Sequence, residues 1–406
     1  MAETLDSAPP RPTKSRRFAE FDSLRGVAAF TIMLDHWRRI YIARDEVPFF
    51  NPFHLLYIGH AFVLVFFALS GLVLSLPQAS GKQVHFPSFV IKRIIRIYPA
   101  YLVAFLLAVA GCTLWHGSDF YGRFFRNTWT AAPDRHSVLN GVFLVGSYNF
   151  HRYSTSFWTL VHEMRISLFV PLLCLGVLAS ELGVVALAVA LLAALAVVLE
   201  KRSSLPIDVV ETVTYLAVFI IGSLCAKHLH TLNRRIAAVS RPLYWSAVLA
   251  VIAFMIAWPT LRYYLHLHAF AWEILLGLVA AAFILLSLRP DGLSPFLLHR
   301  APLFIGKISY SIYLLHGSIL WVFAYLFAGR FSPVAWFPAF LIVTILASWA
   351  LYTAVELPSI YLGRSIESAM KRNWSPSPRK TRGTPAVSEA NDSRQDSKPE
   401  PEALTS

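Results

Sequence analysis

Long apolar runs parted by short polar or basic stretches set the pattern of this chain. Ten of them reach the length of a membrane-crossing helix: residues 21–43, 53–77, 98–115, 158–178, 182–199, 209–226, 243–259, 269–288, 308–327 and 333–356. At 1.5 Å rise per residue, about 20 mostly apolar residues span the hydrocarbon layer, and 98–115 sits at the lower end of that range. The pattern predicts an all-α polytopic membrane protein with about ten transmembrane helices. From about Lys371 onward the run SPSPRKTRGTPAVSEANDSRQDSKPEPEALTS is rich in Ser, Pro and charge and has little to bury, which predicts disorder. Three regions follow: a disordered cytoplasmic segment 1–20, a transmembrane domain 21–364 and a disordered cytoplasmic tail 365–406.

Composition agrees with that class. Of 406 residues, 56% are hydrophobic and 15% charged, against about 25% charged in a soluble domain. The net charge of +13 does not point to nucleic acid, because the basic residues fall between apolar runs and no nucleic-acid motif accompanies them. They act instead as topology determinants. With the N-terminus inside, the inner segments carry Arg11, Lys14, Arg16 and Arg17, then Lys82, Lys92, Arg93 and Arg96, then Lys227, Arg234, Arg235 and Arg241, then Arg289, Arg300 and Lys307. The outer connections 200–208, 260–268 and 328–332 hold few; the longest, 116–157, holds Arg123, Arg126, Arg135 and Arg152. This bias predicts both termini in the cytoplasm. The first apolar run is too long for a signal-peptide core and lacks a small-residue cleavage pattern, so it reads as an uncleaved span. Cys112, Cys174 and Cys225 lie within apolar runs, as small core hydrophobes, and His and Cys lack ligand spacing, so no metal site is expected. Internal repeats, a P-loop, a Rossmann glycine pattern, HExxH and GxSxG are all missing from the sequence.

Ionisable residues inside spans are functional candidates, since a bilayer penalises them heavily. The first span, FDSLRGVAAFTIMLDHWRRIYIA, holds Arg25 and His36. Eleven residues at about 100° each return to within roughly 20° of the start, so both project from one helix face, about 16 Å apart along the axis. That face offers a fixed cation near the inner surface and a proton-transfer group in the outer half. Asp35 points about 100° away from His36, either to orient another group or to meet Arg38 or Arg39. Ser70 and Gly71 fall towards the inner end of the second span, where small residues allow ligand access or close helix packing. Arg93 and Arg96, three apart on one face with Lys92 beside them, suit a multiply phosphorylated ligand through bidentate guanidinium bonds, or anchor anionic lipid. The fourth span opens SFWTLVHEMRISL, which puts Trp158 at the outer interface and His162, Glu163 and Arg165 in the outer third. There Glu163 would orient the His36 imidazole, the usual partnership for general-base work; the other reading is a structural network among His162, Glu163 and Arg165. In the ninth span, KISYSIYLLHGSIL, His316 falls near mid-membrane with Tyr310 and Tyr313 below it. Glu356 ends the tenth span at the inner surface.

Several strings, in order along residues 20 to about 364, together resemble the acyltransferase-3 family of integral membrane acyltransferases: DSLRGVAAFTIMLDH, FFALSGLVLS, KRIIRIYP, FWTLVHE, ISYSIYLLH and ELP. The resemblance implies an O-acetyltransferase-type enzyme of the cell's inner (plasma) membrane, using acyl-CoA, with acetyl-CoA the expected donor. Arg25 and His36 would be the essential pair, Arg93 and Arg96 would contact the donor, and Glu163 would match the family's Trp-Ser-Leu-x-x-Glu element. The chain departs from the pattern at Asp35, where an apolar or aromatic residue is usual, at Thr159 in place of Ser, and in the run MRIS after Glu163. Partners implied are acyl-CoA, a carbohydrate or glycolipid acceptor and membrane lipid. The expected reaction moves the acyl group from a cytoplasmic thioester to an acceptor hydroxyl, with His36 as general base or as transient acyl carrier. The rival reading is a secondary transporter or lipid-glycan flippase, with Arg25, His36, Glu163 and His316 as a relay.

Overall fold

The computed structural model describes residues 18–41, 58–117, 128–144, 150–201, 207–266, 268–327 and 330–374. Among them every regular element is a helix. In chain order these are α1 (Ala19–Tyr41), α2 (Gly59–Ala79), α3 (Phe86–Leu114), α4 (Arg135–Val142), α5 (Phe157–Leu168), α6 (Val170–Ala179), α7 (Leu182–Lys201), α8 (Ile207–Ala238), α9 (Arg241–Leu265), α10 (Ala269–Leu286), α11 (Ser294–Leu297), α12 (Arg300–Phe327), α13 (Pro333–Leu351) and α14 (Leu357–Trp374).

The described residues of each predicted span are predominantly helical, as in an all-α polytopic protein. Among the described residues, seven helices are individually long and apolar enough to cross a membrane, and eight if the bent pair α5–α6 is one span. Helix α1 is not among them because it carries Glu20, Asp22, Arg25, Asp35, Arg38 and Arg39. It lies instead at the centre of the bundle, with Leu24, Ala28, Ala29 and Met33 fully buried, so its charges face protein rather than lipid. The span at 158–178 is broken: α5 and α6 meet at 62°. Pro171 explains the break, since it has no N–H to give to the Ser167 carbonyl and its ring crowds the preceding turn.

Two parallel helix pairs hold the bundle. Gly26 of α1 packs on Gly306 of α12, and a Cβ on Gly26 would stand 2.5 Å from the Gly306 nitrogen. Ten residues further along both helices, His36 meets His316. The second pair runs in step every four residues: Phe67 stacks on Tyr215, Gly71 lies on the Phe219 carbonyl, and Ser75 donates to Ser223. Close backbone approach through small residues is what replaces hydrophobic driving force inside a membrane. In a ten-span topology the first and ninth spans run one way and the second and sixth the other, so both pairs must be parallel, as found.

Two sequence expectations need correction. The connection 116–157 is not simply an outer loop. Tyr98 and Tyr101 on the middle of α3 donate to the carbonyls of Val142 and Gly141 in α4 (2.6 and 2.5 Å), and Trp129, Tyr153, Ser154, Thr155 and Ser156 are buried. The helical part also extends past residue 364, because α14 runs to Trp374 and Lys92 bonds Glu367 at 2.5 Å. Before α14 the helix widens to a π turn over Tyr352–Glu356, a local irregularity frequent beside functional sites. Segments 1–17 and 375–406, both read from sequence as disordered, lie outside the described residues.

Candidate active site

Arg25 and His36 share a face of α1 but serve two different cavities. The first, of about 160 Å³, gathers cations and carboxylates from five elements: Asp22 and Arg25 from α1, Arg93 and Arg96 from α3, Glu163 from α5, Lys307 and Tyr310 from α12, and Glu356 from the π turn. The second, of about 910 Å³, is lined by Asp35, His36 and Arg39, by His60, by His151 and Thr155, by Trp158, by Glu211 and Tyr215, and by Trp258, Arg262 and Glu273. Val63 and Tyr313 line both. Tyr313 therefore forms part of the partition, its hydroxyl hydrogen-bonded to that of Thr159 and its ring edge-on to Phe66.

In the arginine cavity, Arg93 is buried and its Nη2 donates to Glu163 Oε1 at 2.5 Å, while the Ser70 hydroxyl donates to the same oxygen at 3.4 Å. Arg25 bonds Asp22 at 3.5 Å. Tyr310 donates to the Ile97 carbonyl (2.8 Å) and Ser311 to buried Glu356 (2.9 Å). Arg96, one turn from Arg93, is exposed at the mouth. Such a cavity is narrow for a nucleotide but admits a slender chain, with a guanidinium at its rim for phosphate oxygens.

In the histidine cavity, His36 Nδ1 lies 3.0 Å from His316 Nε2 and 3.3 Å from the Thr155 hydroxyl. His60 bonds both Glu273 oxygens at 2.9 and 2.8 Å, with Arg262 at 3.8 Å from the same carboxylate. Burial holds the His151 imidazole below its ordinary value, which favours its neutral form beside the cavity. Flat aromatic faces (Trp158, Tyr215, Trp258) alternate with polar groups, the mixed lining of a small-molecule site.

A family model for an acyltransferase domain matches residues 18–353. The chain belongs to the acyltransferase-3 family. Neither a curated protein nor a solved structure matches it significantly. The match covers both cavities apart from Glu356 and Ile360.

Within this acyltransferase-family fold, three sequence expectations are revised. Glu163 does not orient His36; it belongs to the arginine cavity and pairs with Arg93. The reason is depth: residues 153–156 are already buried, so α5 starts inside the bundle and carries Glu163 further down than a span starting at the surface would. His162 and Arg165 turn away from Glu163 towards α8, where His162 meets Thr212 (2.8 Å) and Glu211 (3.3 Å) and Arg165 meets Asp208 (2.7 Å). Trp158, half-buried, lines the histidine cavity. Gly71 lines neither cavity and serves the contact with Phe219, whereas Ser70 beside it reaches the arginine cavity. Asp35 accepts from Arg38 (3.0 Å) and Arg39 (2.9 and 2.7 Å), the ion-pair alternative of its two readings. His316, Tyr310, Arg93 and Arg96 fall at or beside the cavities. Sequence reasoning gave no role to His60 and Glu273. A signal existed for Glu273, the only charged residue in the apolar run AFAWEILLGLVAAAFILL.

Proposed function

We propose that this chain transfers an acyl group, acetyl by expectation, from acyl-CoA at the arginine cavity to a hydroxyl of a carbohydrate-containing acceptor in the histidine cavity. One observation carries the reading: two cavities adjoin at Tyr313, one furnished with guanidinium groups and the other with a paired imidazole. Arg96 would hold the donor's phosphates at the mouth with Arg93 behind it, and Arg25 would steer the pantetheine end or the thioester carbonyl. His36 would take the acceptor's hydroxyl proton as that oxygen attacks the carbonyl carbon. The carbon–sulfur bond then breaks, and the CoA thiolate leaves and is protonated to the free thiol. Balance requires no further reactant. The charge bias of the connections supports an arginine cavity facing the cytoplasm, where acyl-CoA is made, with both termini on that side in the inner membrane.

Membranes holding the chain, given acetyl-labelled acetyl-CoA and a pool of carbohydrate acceptors, test this reading. Label should enter a glycan or glycolipid fraction, and His36→Ala should lower the rate on the order of 10²–10⁴-fold while leaving membrane insertion intact. A transporter would give no CoA-dependent label. Near-normal transfer by His36→Ala would remove His36 from the chemistry.

A further inference from the structure

The hydrogen bonds around the two imidazoles fix where their protons sit. His316 is fully buried, and its Nδ1 lies 2.9 Å from the Ile312 carbonyl oxygen, one turn back on α12. A carbonyl oxygen only accepts, so Nδ1 of His316 carries the hydrogen. In a neutral ring the other nitrogen, Nε2, is then an acceptor. That Nε2 lies 3.0 Å from His36 Nδ1, and two acceptors cannot bond each other, so His36 Nδ1 must donate. The Thr155 hydroxyl, 3.3 Å from the same nitrogen, accepts a second share of that hydrogen. With the His36 ring also neutral, its lone pair is on Nε2. The two ring nitrogens diverge, so Nε2 points away from His316, and His36 lines the cavity proposed for the acceptor.

We infer that His316 is a positioning residue that holds His36 in the Nδ1–H tautomer, and that the Ile312 carbonyl, through His316, takes the place usually filled by a carboxylate behind a catalytic histidine. A carboxylate would do the same job with a full charge, stabilising the imidazolium that forms after proton transfer. A neutral imidazole backed by a carbonyl sets tautomer and ring angle without placing an anion in the apolar middle of the bundle. The geometry gives the reason for the parallel α1–α12 pairing: contacts at Gly26–Gly306 and His36–His316 are each ten residues apart on their helices, so a slip in register at the glycine contact would separate the imidazoles. The catalytic consequence rests on the acyl-transfer reading above; the tautomer does not.

The test has two arms, both on the full chain in detergent or nanodiscs. Nitrogen-15 spectra of histidine-labelled protein, with the His36 and His316 signals assigned among 14 histidines by difference from His36→Gln and His316→Gln, should show His36 with a protonated Nδ1 and an unprotonated Nε2. A wild-type His36 protonated at Nε2 overturns the inference, whatever the activity. In the kinetic arm, His316→Leu should lower kcat on the order of a hundredfold with the donor KM unchanged. His316→Gln, whose amide oxygen restores an acceptor near the position of Nε2, should recover most of it. Unchanged kcat in His316→Leu beside an inactive His36→Ala sinks the positioning role and leaves the acyl-transfer reading standing. Full activity in His36→Ala sinks that reading instead, and the spectra still decide the tautomer.

Discussion

Glu163 and Asp35 are carboxylates on buried helix faces, and each is committed to arginine. Asp35 holds a buried Arg38 and a half-buried Arg39. Removing one partner of such a pair leaves uncompensated buried charge, which costs about 3–5 kcal/mol. Asp35→Ala should therefore lower the thermal unfolding midpoint in detergent, and an unshifted midpoint would contradict the pairing. Arg96, exposed at the cavity mouth, predicts the opposite profile: Arg96→Lys should leave the midpoint alone and raise the donor KM about tenfold through loss of the bidentate fork. A donor KM equal to wild type would favour the lipid-anchor role. At this scale the sequence was readable where the argument was local. Spacing within α1 places Arg25 and His36 on one face, and helix geometry alone guarantees it. The partner of Glu163 was not readable, because its depth depends on how residues 128–144 and 150–156 pack in the bundle. His316 could be named as unusual but not paired, since its partner lies 280 residues away.

The elements were legible for a related reason. Hydrophobic run length is a local property, and the described residues of all ten runs are predominantly helical. What run length cannot show is a bend, such as the one Pro171 sets between α5 and α6, or whether a charged helix faces lipid or protein. Helix α1 carries its charges because α2, α12 and α13 surround it. Glycine contacts make that packing possible. Gly306→Val should overpack the α1–α12 seam at about 1–3 kcal/mol. Transfer should fall with it, since the seam also sets the His36–His316 register. A Gly306→Val chain with wild-type stability and rate would mean that the seam tolerates separation.

For the whole molecule, the parallel pairs fix relative direction, and the charge bias predicts which end faces the cytoplasm. Lys82→Cys and Tyr264→Cys, each at an exposed site, in a background without Cys112, Cys174 and Cys225, should react with an impermeant thiol reagent from opposite faces. Labelling of both from one face would overturn the topology. In the proposed mechanism donor and acceptor enter from opposite ends and meet beside Tyr313. Sided proteoliposomes test it most directly: acetyl-CoA is supplied only on the face bearing Arg96, and a carbohydrate acceptor is confined to the other. The two-cavity arrangement predicts label crossing to that acceptor, lost in His36→Ala. Transfer that proceeds only when donor and acceptor share a face would contradict it.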